Sequence, residues 1–186
     1  MRKLVVKEWM TLDGVIDAET MDQWFVPYDT PERRSHIKEG YEQGDAYLLG
    51  RVTYDMLAPG WSGLPDEAVD GIAGVLHHMQ KYVVSSTLKS ADWKNSTIIS
   101  GNVVDAVTRL KQEPGKDIVL DGSATLAHSL MDANLIDEYR FLVQPHVMGT
   151  GLRFFAEGTP PTRLKLVNMQ TLRLGVVALT YQPDPH

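Results

Sequence analysis

The chain opens on Leu4-Val5-Val6, an apolar run without polar alternation, and with its continuation to Met10 this predicts a strand. Residues 11–30, which hold Asp13-Gly14 and Pro27, break the pattern and predict a long loop, a type that in a folded domain usually carries function. Pro31-Glu32 then opens a helix running to Gln43, with proline at an early position and an acid in the first turn. An apolar strand over 46–49 leads through Gly50-Arg51 into a helix over 52–57, ended by Pro59-Gly60-Trp61. A further helix is predicted over 67–79. Tyr82-Val83-Val84 reads as a strand and Ser85-Ser86-Thr87 as a polar turn. Thr97-Ile98-Ile99 is another strand, and the amphipathic stretch 103–111 is a helix closed by Pro114-Gly115. Strand 118–120 passes through Gly122-Ser123 into a helix over 124–133.

Strand followed by helix, repeated with unalternating strands, predicts a mostly parallel sheet covered on both faces. After Ile136 the rhythm changes. Residues 138–143, 164–171 and 176–181 read as strands with no helix between them, and Gly175 offers a bend between the last two. The expected fold class is therefore α/β, with a mostly parallel central sheet, helices on both faces and an antiparallel C-terminal hairpin. There is no internal repeat, low-complexity tract or linker, so a single domain is expected over 1–186.

Composition narrows the chemistry. A formal net charge of -6 and a pI near 5.5 disfavour a polyanion-binding surface, so no nucleic-acid partner is expected. With 0 cysteines there is no disulfide, thiolate nucleophile or Cys-ligated zinc. No signal peptide and no apolar stretch of membrane-spanning length are read, which predicts a cytoplasmic protein with no membrane partner. His77-His78 lie about 100° apart on a helix and do not share one ion easily, so they are taken as surface or dimer residues and no metal is expected.

Three strand-to-helix junctions carry small or hydroxyl residues: Gly50-Arg51-Val52-Thr53, Ser85-Ser86-Thr87 and Gly122-Ser123-Ala124-Thr125. Each alone is an ordinary turn or cap. Together they fall at the carboxyl edge of one inferred sheet, where α/β proteins bind ligands and helix N-termini favour anions. None matches the dinucleotide fingerprint G-x-G-x-x-G or the phosphate loop.

At these residues the chain resembles the dihydrofolate-reductase-like family, in particular stand-alone bacterial members similar to the reductase domain of riboflavin-biosynthesis deaminase-reductases. The resemblance rests on Thr11-Leu12-Asp13-Gly14-Val15-Ile16, Leu48-Leu49-Gly50-Arg51-Val52-Thr53-Tyr54, Lys81-Tyr82-Val83-Val84-Ser85, Asp117-Ile118-Val119-Leu120-Asp121-Gly122-Ser123 and Pro145-His146-Val147-Met148-Gly149, taken in order. It implies NADPH, or NADH, held by Gly50, Arg51 and Thr53, by Ser85, Ser86 and Thr87, and by Gly122, Ser123, Ala124, Thr125 and Leu126. It also implies a mobile loop, with Val15 and Ile16, over the nicotinamide. Two positions depart from the family pattern: Ser86, where relatives often carry an Arg for the 2′-phosphate, and Leu152, where a Lys is common.

The substrate pocket is expected between the long loop and the first helix. Trp9, Trp24, Tyr28 and Tyr54 would stack on a flat ring, and Asp13 or Asp29 would hydrogen-bond it or donate a proton. Trp24 and Tyr28 equally suit a role as plugs that hold the loop down. Near the start of the first helix only Glu32 offers a carboxylate, followed by two cations, which disfavours folate itself. The expectation is an NAD(P)H-dependent reductase, acting as a homodimer on a small pterin-like, pyrimidine-like or sugar-linked substrate. The alternatives are a non-catalytic ligand-binding domain of the same fold and a dimerisation module.

Overall fold

The computed structural model describes residues 1–155, 157–159 and 161–184; of the span 1–186, Ala156, Pro160, Pro185 and His186 lie outside the described residues. Strand β1, Leu4–Thr11, is buried almost along its length because parallel neighbours flank it on both sides. The chain then makes two short 3-10 turns, Ala18–Thr20 and Val26–Tyr28, around a single helical turn α1, Met21–Trp24. Helix α2 covers Pro31–Glu42, with the Thr30 hydroxyl accepting the Arg33 N–H as its cap. Strand β2, Gly44–Gly50, is followed by α3, Arg51–Trp61, and α4, Ile72–His78. Then come β3, Gln80–Val84; β4, Ser96–Ile99; α5, Val103–Gln112; β5, Asp117–Asp121; and α6, Ala124–Asp132. Strands β6, Glu138–Gln144, β7, Leu164–Thr171, and β8, Val177–Pro183, complete the sheet.

The sheet has the order β4-β3-β2-β5-β1-β6-β8-β7. The first six are parallel, and β8 and β7 turn antiparallel at the far edge. One face packs Leu4, Val6, Leu48 and Leu120 against Val107 and Leu110 of α5 and Ala127 and Leu130 of α6. The other packs Tyr47, Leu49, Val83 and Val119 against Ile37 and Tyr41 of α2 and Ile72 and Leu76 of α4. Each fully buried aliphatic side chain of this kind contributes about 1.5–3 kcal/mol. Among the described residues no helix is long and apolar enough to cross a membrane.

Three sequence expectations change. Helix α3 does not end at Pro59, which sits inside its last turn, where a missing N–H deprives only one carbonyl. The helix expected over 67–79 is cut short at its start, because Val69, Asp70 and Gly71 are left-handed (φ 51, 55 and 85) and α4 begins only at Ile72. His77, expected as a surface or dimer residue, is buried between Asp66 and the Trp61 carbonyl, with ring nitrogens 2.7 and 3.0 Å from them.

Candidate active site

The carboxyl ends of β2, β3 and β5 bring the three junctions together, although the one after β3 leads into β4 and not, as expected, into a helix. The Gly50 N–H donates to Ser123 Oγ at 2.9 Å, and the Ser123 hydroxyl donates to Thr53 Oγ1 at 2.8 Å. The Arg51 guanidinium reaches the Thr87 hydroxyl at 3.4 Å and pairs with Asp55. A cavity of about 400 Å³ is lined by Arg51, Ser85, Ser86, Thr87, Ser100 and Gly101. Ser85 itself is buried, its Oγ accepting the N–H groups of Thr87 and Leu88, so it shapes the turn while Ser86 and Thr87 face outward.

The local backbone explains the cradle. Gly122 (φ 56) and Ser123 (φ 57) are both left-handed, which folds the β5–α6 turn tightly back toward β2. A Cβ on Gly50 would come within 3.1 Å of Ser123 Oγ. Neither α3 nor α6 has a side-chain cap, so two helix N-termini present free N–H groups on either side of this contact. Two uncapped helix ends, a glycine approach and an adjoining cavity with one guanidinium fit the pyrophosphate and adenosine of a dinucleotide. Ala124 and Thr125 lie in the first turn of α6, whereas the Leu126 side chain belongs to the core and can offer only backbone.

The two acidic residues expected to hydrogen-bond the ring or donate a proton are held in other contacts. Asp13 accepts from the Thr11 hydroxyl (2.6 Å) and from the N–H groups of Met148 (3.1 Å) and Gly149 (2.8 Å), and Arg153 lies 3.3 Å away. The Thr11 hydroxyl and these amides hold its carboxyl well below the usual carboxylate range, so it carries no proton to give. Asp29 is paired with Arg33 and Arg34 at the head of α2. Both are clamps.

The covering loop is likewise tied down. Ile16 N–H donates to the Leu152 carbonyl at 2.7 Å, Phe154 N–H to Gly14 at 3.2 Å, and Val15 is fully buried opposite Arg153. Of the aromatic candidates, Trp24 is a buried plug whose indole N–H donates to the Asp17 carbonyl, and Tyr54 is buried with its hydroxyl accepting the Trp93 N–H. Tyr28 bonds the Pro145 carbonyl at 3.2 Å. Trp9 stacks on Phe25, with centroids 4.6 Å apart.

A polar cluster that the sequence reading passed over lies on β1 and β5. Lys7 and Asp121 are register partners on these strands, both buried. Asp121 accepts hydrogen bonds from the Tyr41 and Tyr47 hydroxyls, and the Lys7 ammonium sits 3.3 Å over the Tyr41 ring. Burial lowers the Lys7 pKa to about 7, with Asp121 pulling the other way. On the opposite face of β1, burial and then Asp121 push the Glu8 carboxyl well above its ordinary value. The available signal was a Lys-Glu pair inside an otherwise apolar strand without alternation.

The family model for the RibD C-terminal domain matches residues 2–178. The chain belongs to the RibD C-terminal domain family. Uncharacterized protein YyaP of Bacillus subtilis (strain 168) is 30% identical to this RibD-type domain over 186 residues, covering 97% of this chain and 94% of that one. A pyrimidine reductase-like protein from Corynebacterium diphtheriae has a similar structure, with a TM-score of 0.70 at 13% identity over 100% of this chain and 93% of that one. Dihydrofolate reductase from Enterococcus faecalis, complexed with NADP(H), superposes with a TM-score of 0.65 at 18% identity over 98% and 96% of the two chains. The dihydrofolate-reductase-like fold is thus shared, and the family supports a reductase-type function for this RibD-type domain.

Proposed function

We propose that the protein is a cytoplasmic NAD(P)H-dependent reductase that transfers hydride to a small pterin-like, pyrimidine-like or sugar-linked substrate. The observation that carries this reading is the Ser123 contact, which gathers the turns at Gly50, Thr53 and Gly122 into one cradle beside the Arg51–Thr87 cavity. Gly50, Arg51, Thr53, Ser86, Thr87 and the first turn of α6 would hold the dinucleotide; a bound nicotinamide supplies the hydride.

The protein's own task is to place the acceptor and furnish a proton. With Asp13 and Asp29 committed as clamps, that role falls to Lys7. Its buried ammonium has a pKa of about 7, near the working range of a general acid, and it sits on the strand beside Asp121. Tyr41 and Tyr47 keep Asp121 bonded and fixed, so its charge stays where it sustains the ammonium form. Trp9, stacked on Phe25, offers the flat apolar surface for a ring.

Following NADPH oxidation with a panel of pterins, ribosylated pyrimidines and quinones tests turnover. Substrate-dependent oxidation that fails in Lys7→Met is expected. Cofactor binding without oxidation of any panel member above background would instead favour a ligand-binding domain.

A further inference from the structure

The C-terminal half of α2 does not close fully onto the sheet. Between it and strands β1, β6 and β8 lies a cavity of about 280 Å³, lined among others by Lys7, Trp9, His36, Arg140 and Thr180. That exceeds the roughly 150 Å³ that admits a benzene-sized guest. It is separate from the Arg51–Thr87 cavity and shares no residue with it.

Its polar lining is unbalanced. Lys7 and Arg140 are register partners on parallel β1 and β6, so two cations leave the same face side by side. Arg140 is answered in part: Nε and Nη2 bond Glu138 at 2.7 and 2.6 Å and Nη2 also lies 3.5 Å from Asp117, while Nη1 is buried without a partner. The Lys7 ammonium makes one hydrogen bond, to the Ile37 carbonyl at 3.3 Å, and otherwise rests on the Tyr41 ring. Trp9 Nε1 is also buried without a partner. Gly40 keeps the space above Lys7 open, since a Cβ there would stand 3.2 Å from Nζ. The neighbouring carboxylates are already engaged: Glu138 by Lys3, Arg140 and Gln182, Asp117 by Arg140, Asp121 by Tyr41 and Tyr47, and Glu39 by Ser35. The unmet hydrogen-bonding capacity of Lys7, Trp9 and Arg140 is donor capacity throughout, and unpaired donors lining a cavity call for an acceptor, best an anionic one.

We propose that this cavity binds the anionic oxygen group, a carboxylate or phosphate ester, of a small ring-bearing organic acid, held between Lys7 and Arg140 with the Trp9 indole N–H as a third donor. As a statement about the substrate it rests on the reductase reading; as a statement about binding it stands without it. Arg140 presents its free edge to the acid, and Lys7 turns from the Ile37 carbonyl toward it.

Calorimetric titration of the full chain with benzoate, phenyl phosphate and the neutral isostere benzamide tests this, with NADPH titrated in parallel. At least one of the two acids should bind one to one, about tenfold or more tighter than benzamide, and Arg140→Gln should weaken it by about tenfold or more while NADPH affinity stays unchanged. Which acid binds more tightly distinguishes carboxylate from phosphate. Amide NMR shifts on the wild-type protein provide a readout that does not depend on the variant folding: benzoate or phenyl phosphate should perturb residues 36–43, 140–142 and 178–180. Acids that bind no more tightly than benzamide, or that perturb amides elsewhere, overturn the proposal. If NADPH binds and the acids do not, the subsite fails and the reductase reading stands; if the acids bind there and NADPH does not, the reverse holds.

Discussion

The hydroxyl of Ser123 donates to Thr53 Oγ1 at 2.8 Å while its oxygen accepts the N–H of Gly50 at 2.9 Å. With its side chain spent sideways, Ser123 leaves the N-terminus of α6 uncapped, and the turn after β5 is stitched to the turn after β2. Ser123→Ala removes the stitch. NADPH affinity should fall by about tenfold, the worth of one or two hydrogen bonds, with only a small change in thermal midpoint. Cofactor fluorescence measures the first and a melting curve the second. Unchanged affinity would mean that the two turns do not form the cradle.

Lys7→Met should lower turnover by about 10²- to 10⁴-fold and raise stability by about 1–3 kcal/mol, since a buried cation gives way to an apolar chain of similar length. In the wild type the rate should fall as pH rises through about 7, as the ammonium is lost. The stability effect has the opposite sense. The folded pKa lies below the unfolded value of 10.5, so between about 7 and 10.5 the unfolded chain binds more protons and rising pH relieves the penalty. Urea denaturation at pH 6 and pH 9 should therefore show a larger gain for Lys7→Met at pH 6.

Asp13→Asn should act on stability rather than chemistry. An amide offers one acceptor oxygen to Thr11, Met148, Gly149 and Arg153 and turns an NH2 group toward donors, costing about 1–3 kcal/mol. Because the folded carboxyl titrates below its unfolded value of 3.8, the clamp's contribution is full above that pH and fades as acid is added. Stopped-rate assays of the folded variant should show less than about a tenfold loss of turnover, whereas removal of a general acid costs more than that.

Much of this was legible in the chain. Unalternating runs such as Leu4-Val5-Val6 and Ile118-Val119-Leu120 announced strands buried on both faces, and the loss of helices after Ile136 announced the antiparallel edge. The junctions at Arg51, Ser85 and Gly122 were readable because a strand end followed by Gly or Ser is a local feature. The fate of Asp13 was not, because its amide partners lie about 135 residues downstream and Asp-Gly reads only as a turn. Trp24 and Tyr54 look the same in sequence whether they face a ligand or the core; only the packing separates the two. Lys7, beside Glu8, and Arg140, two residues from Glu138, are charges within otherwise apolar strands, yet their partnership depends on β1–β6 register.

The outer edge of the sheet bears on assembly. Strand β7 exposes Leu166, Val167 and Met169 along an edge that, among the described residues, has no further strand beside it. Unprotected apolar edges invite pairing with another copy, and a homodimer through β7 and β8 is expected. Light scattering should give twice the chain mass for the wild type and the single-chain mass for a Leu166→Lys, Met169→Lys variant. A monomeric wild type would refute the dimer.

The central claim is met most directly by titrating the pure protein with NADPH and following energy transfer from tryptophan to the nicotinamide. The account predicts saturable one-to-one binding with a Kd below about 100 μM, weakened by Ser123→Ala and by Arg51→Ala. No binding up to millimolar NADPH would contradict it.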